Sequence, residues 1–160
     1  MFEHILFDLD GTLTDPFLGI TRSVQFALSH FGISVENLEA LTCFIGPPLL
    51  DSFRQFYGFT EEQAEEAVVF YRMYFRETGI FENEVLAGIP QLLSNLLAAG
   101  KKLYVATSKP QIFAEQILEH FSLRTYFQGV CGSNLDGSRC RKVEVIDWIL
   151  GTLPPGASAV

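Results

Sequence analysis

The sequence predicts an α/β fold: a parallel sheet with helices on both faces, carrying a helical bundle inserted after the first strand. Three observations predict it. The chain opens on a mostly apolar run of strand length, "HILFDLD"; residues 16 to 80 carry a helical period; strand-like and helix-like segments then alternate to the end. Residues 1–15 and 81–160 are expected to form the α/β core domain, and residues 16–80 the helical cap domain.

Each element has its own signal. Residues 4 to 9 suit a strand buried on both faces of a parallel sheet. Phe17, Ile20, Val24, Leu28 and Phe31 recur at helical spacing, and Gly32 stops them. "SVENLEALTCF" predicts a second helix, ended by Gly46-Pro47-Pro48, and "LLDSFRQFY" a third, closed by Gly58. Thr60 and Gln63 form a capping box for the long helix "EEQAEEAVVFYRMYFRE", which Gly79 stops. Beyond it, "IPQLLSNLLAAG", "PQIFAEQILEHF" and "RKVEVIDWILGTL" predict helices, "KKLYVATS" and "FQGVCGS" strands, and "ASAV" the first residues of one more strand. Such alternation implies parallel pairing through right-handed crossovers.

Composition narrows the function. A net charge of -8, with 11 Lys and Arg scattered along 160 residues, argues against a nucleic-acid polymer as partner. A small anionic metabolite is compatible with it, because one site can be locally positive on an acidic protein. No apolar run reaches the length of a membrane span, and "MFEHILFDLD" lacks the basic start of a targeting segment, so the expectation is a cytoplasmic protein, a monomer or a homodimer. Three cysteines without CxxC spacing indicate neither a disulfide framework nor a zinc site.

The chemistry starts from Asp8 and Asp10. In an open parallel sheet ligands bind beyond the carboxyl ends of the strands, which is where this pair falls, and Gly11 lets the chain turn away. Two carboxylates so close repel unless a cation or a shared proton relieves them. One could attack phosphorus while the other, protonated, serves the leaving alkoxide and then activates water. A hard divalent ion such as Mg2+ would offset the repulsion between anionic nucleophile and anionic phosphate. Thr107, at the carboxyl end of "LYVAT", offers a hydroxyl, and Lys142, at a helix start, a point charge.

This order of residues resembles the haloacid dehalogenase superfamily, in particular its phosphoglycolate phosphatase-like members with a helical cap. "DLDGTLTD" resembles the first family motif, "VATSKP" the second, "GSNLDGSRCRKVEVI" the region of the third, and "FIGPPLLDSF" a cap segment of the phosphoglycolate phosphatase and nucleotidase-like branch. The resemblance implies a Rossmann-like core and a Mg2+-dependent phosphatase of small phosphomonoesters. Asp8 would be the nucleophile, Asp10 the general acid and base with its carbonyl also on the metal, and Lys142 the third catalytic residue. Thr107, Ser108, Lys109, Gly11 and Gly46 would bind phosphate or substrate, and Asp8 and Asp10 would hold the metal. A fourth, acidic motif that completes the metal site is implied a few residues beyond "ASAV", so a chain continuing past Val160 is expected.

Plainer roles compete. Lys109 rivals Lys142 as the lysine of the site, Ser108 could simply cap the following helix, and "VVFYRMYF" reads first as core packing. Asp136-Gly137 reads as a turn, Thr14 and Asp15 as support for the first loop, and His4, His30 and His120 form no cluster. Within the resemblance, Asp10 argues against dehalogenase chemistry, and the absence of lysine from residues 16–80 against a cap-lysine phosphonate hydrolase. A sugar-phosphate mutase and a non-catalytic binding module stay open as alternatives.

Overall fold

The computed structural model describes residues 2–160. In chain order it runs β1 (His4–Phe7), β2 (Thr14–Asp15), α1 (Phe17–Ser29), α2 (Leu49–Tyr57), α3 (Glu61–Tyr74), β3 (Glu84–Val85), α4 (Ile89–Ala98), β4 (Lys102–Pro110), α5 (Gln111–His120), β5 (Gly129–Ser133) and α6 (Lys142–Thr152). It divides into two compact units, residues 1–14 with 85–160, and residues 15–84. β2 and β3, where the chain passes from one unit to the other, pair as a two-stranded sheet.

The α/β unit is built on a parallel sheet in the order β1-β4-β5, with helices on both sides, the Rossmann-like arrangement that the alternation predicts. β4 is the central strand, and it is buried on both faces because its side chains alternate between them. Leu103 and Val105 point one way and are fully buried. Ala106 points the other, into a cluster with Cys131, Val145 and Ile149 that seats α6 on the sheet. The "ASAV" segment contributes less than a full strand: Ala159 makes a single parallel bridge to His4, whose N–H donates to the Ser158 carbonyl and whose carbonyl accepts the Val160 N–H. Among the described residues no helix is long and apolar enough to cross a membrane.

The helical unit packs α1 against α3 and α2 against α3. Thr60 Oγ1 accepts from the Gln63 N–H and Gln63 Oε1 from the Thr60 N–H, the reciprocal cap that its sequence announces. Gly58 closes α2 at φ 65°. Phe44, Phe53 and Phe75 are sealed in its core, and of the aromatic stretch Tyr71 and Phe75 are buried while Val69 and Met73 are exposed. Two elements differ from expectation. Residues Leu38–Phe44 form a 3-10 helix rather than an α-helix, capped by Asn37 Oδ1 on the Glu39 N–H and halted before the Gly46-Pro47-Pro48 turn. The long helix widens into a π turn over Phe75–Gly79, where α1 comes so close that a Cβ on Gly19 would lie 2.0 Å from the Gly79 carbonyl oxygen. Gly46 belongs to this unit and sits at φ 107°.

Candidate active site

The site is assembled where β1 and β4 end. β1 stops at Phe7, and the next residues turn: the Gly11 N–H donates to the Thr14 carbonyl (2.8 Å) at φ 76°. A Cβ on Gly11 would meet nothing within 4 Å, so glycine is required there by the backbone angle and not by space.

β4 supplies the second wall through a bulge. Its register with β5 runs Ala106 opposite Cys131 and then Pro110 opposite Ser133, four steps against two. Thr107, Ser108 and Lys109 lie in the surplus. The bulge closes on itself, with the Lys109 N–H donating to Thr107 Oγ1 at 3.2 Å, and it leans on β5 at Gly132. A Cβ on Gly132 would be 2.5 Å from the Lys109 carbonyl oxygen and 2.7 Å from the Gln111 nitrogen, so no larger residue fits without moving backbone. Ser108 does not cap α5, whose N-cap is Pro110 without a side-chain bond.

The two aspartates are relieved by two different lysines. Lys142 Nζ lies 2.6 Å from Asp8 Oδ2 and also donates to the Ala106 carbonyl at 3.1 Å, while Asp8 Oδ1 accepts the Leu9 N–H at 2.8 Å. Lys109 Nζ lies 3.0 Å from Asp10 Oδ2. The environments differ sharply: the Asp8–Lys142 side chains are 38% and 40% exposed, the Asp10–Lys109 side chains 11% and 5%. Asp10 Oδ1 is buried with no partner among the described residues. Two carboxylates facing two ammonium groups leave the cluster formally neutral. Thr107 is buried beside it. The structure therefore brings Asp8, Asp10, Thr107, Lys109 and Lys142 together at one end of the sheet.

Two residues that the motif reading passed over shape this end. Gly132 is one, and a glycine inside a strand is the sequence signal of a bulge or a close backbone approach. The other is Arg139, a non-glycine residue at φ 53°, in the loop that delivers Lys142. Its Nε donates to the Gly132 carbonyl at 3.0 Å and its guanidinium lies 4.7 Å above the Trp148 ring, tying the loop to β5 and α6. Nothing in its local sequence marks it. Among the described residues no group of three or more His, Cys, Asp or Glu side chains is placed to hold a metal.

Residues 5–138 match the model of the haloacid dehalogenase-like hydrolase family. A protein of Pseudomonas aeruginosa named 5'-nucleotidase is 56% identical over 93% of this chain and 67% of its own length. A Mycobacterium tuberculosis protein named tyrosine-protein kinase PtkA is 41% identical over 96% of this chain, which spans 52% of it. The crystal structure of a predicted phosphatase from Clostridium acetobutylicum superposes with a TM-score of 0.93 at 50% identity, over 95% of this chain and 70% of that one. The chain belongs to the haloacid dehalogenase-like hydrolase family.

Proposed function

We propose that the protein is a Mg2+-dependent phosphatase of small phosphomonoesters that works through an aspartyl phosphate on Asp8. The observation that carries this reading is the division of labour between the carboxylates: one open and held by an exposed lysine, the other sealed, both at the carboxyl ends of parallel strands.

A carboxylate oxygen of Asp8 attacks phosphorus, and the bond from phosphorus to the ester oxygen breaks as Asp10 gives that oxygen a proton. Water then transfers a proton to Asp10 and attacks the same phosphorus. The bond to Asp8 breaks, releasing phosphate and restoring both aspartates. Lys142 holds Asp8 in place and supplies positive charge beside the incoming phosphate. Thr107 Oγ1 accepts from the Lys109 N–H and keeps its own O–H to donate to a phosphate oxygen. Gly11 and Ser108 border the phosphate position.

The donor set suits Mg2+, which binds hard oxygens and fills its shell with water and substrate oxygens rather than demanding an all-protein cage. The Asp8 carboxylate and the Asp10 backbone carbonyl would hold it. When bound, the ion neutralises negative charge on the transferring phosphoryl group. The substrate class follows the 56% identical relative named 5'-nucleotidase, so nucleoside monophosphates are the first choice, ahead of phosphoglycolate and sugar phosphates.

The test is phosphate release from a panel of phosphomonoesters, with and without Mg2+, by wild type and Asp8→Asn. Mg2+-dependent release that vanishes in the variant supports the reading. Binding of phosphate without turnover of any ester would replace it with a binding module, and exchange of phosphate between sugar positions with a mutase.

A further inference from the structure

We propose that Lys109 is a positioning residue for Asp10 rather than a ligand of the substrate phosphate. This rests on the phosphatase reading above and assigns a role inside it. A lysine next to a phosphate-binding threonine is expected to reach the phosphate, yet its ammonium lies 3.0 Å from Asp10 Oδ2 with the side chain 5% exposed.

Three features fix it there. The Lys109 N–H is tied to Thr107 Oγ1, so its backbone cannot swing. Its carbonyl packs where only a glycine at 132 leaves room. Its side chain is buried, so the ammonium has little freedom to turn toward solvent or an incoming anion. With Oδ2 engaged by the buried ammonium, the Asp10 carboxyl cannot rotate freely. The proton-handling group is thus held in one orientation.

This role separates from phosphate binding through the leaving group. An alkyl alcohol needs a proton to depart, whereas p-nitrophenolate does not. The experiment compares kcat/KM, which reports steps up to formation of the aspartyl phosphate, for p-nitrophenyl phosphate and for a nucleoside 5'-monophosphate, in wild type, Lys109→Gln and Lys109→Arg. Misplacing a catalytic group by about 1 Å can cost about a hundredfold, so Lys109→Gln is expected to lose about that much on the alkyl ester and less than about fivefold on the aryl ester. Lys109→Arg, which keeps the charge in the buried pair, is expected to show the same bias at smaller size and serves if the glutamine variant does not fold. A loss equal on both esters overturns the proposal, because phosphate contacts and general structural damage act on both alike. So does unchanged activity in both variants. A wild-type protein that releases phosphate from neither ester overturns the phosphatase reading and this role with it.

Discussion

The Asp8–Lys142 and Asp10–Lys109 pairs share their chemistry and differ in their solvent. The first is 38% and 40% exposed, so water screens it and either partner can exchange for a ligand at small cost. The second is 11% and 5% exposed, where desolvation makes each charge depend on the other. A nucleophile must accept new partners during the reaction, and a proton-handling group must keep its orientation. The open pair suits the first task and the closed pair the second.

The largest expected effect is on turnover. Asp8→Asn removes the attacking oxygen and is expected to abolish phosphate release while changing stability by no more than about 1 kcal/mol, because the pair it breaks is exposed. Steady-state assays and urea unfolding of the same preparation check both halves. Unfolding also sharpens the contrast between the lysines. Lys109→Met strands Asp10 in a buried site and is expected to cost about 3–5 kcal/mol, whereas Lys142→Met is expected to cost about 1 kcal/mol or less. Equal losses for the two would erase the distinction drawn here.

The double variant Asp10→Asn with Lys109→Met removes both buried charges, and is expected to be more stable than Lys109→Met alone in the same unfolding experiment. A smaller effect tests the frame. Gly132→Ala forces a Cβ to 2.5 Å from the Lys109 carbonyl oxygen and is expected to cost about 1–3 kcal/mol as the bulge shifts. The smaller of the two glycine effects is Gly11→Ala, which meets no atom and only the left-handed angle, for about 1–2 kcal/mol. If Gly11→Ala proves the more damaging of the two glycine changes, the bulge is softer than the first loop.

Much of the fold was legible because periodicity reports burial directly. The run of β4 and the helical faces of α1 and α5 could be read off, and the parallel sheet followed from their alternation. The helix expected over "SVENLEALTCF" forms as a 3-10 helix over Leu38–Phe44 only, because so short a segment carries too few turns for its period to distinguish a 3-10 from an α-helix. At the site, sequence names candidate groups but not their pairing. Lys109 and Lys142 could be ranked as rivals for one position only because nothing in a linear spacing says that there are two positions, one per aspartate. That answer depends on the bulge, and the bulge depends on two strands meeting. Gly132 carries only the general signal of a glycine within a strand, and Arg139 none, for the same reason: their work is done on backbone atoms distant in the chain.

The bulge in β4 also bears on how such a site can change over generations. Thr107, Ser108 and Lys109 are presented by a loop of backbone whose fit against β5 is set by the missing side chain at Gly132, so the mounting and the mounted parts are specified by different residues. Replacing a side chain in the triplet can alter the chemistry while the socket survives. Replacing Gly132 spoils the socket whatever is mounted in it. A lineage that keeps the glycine can therefore try new reactions at this strand end one residue at a time.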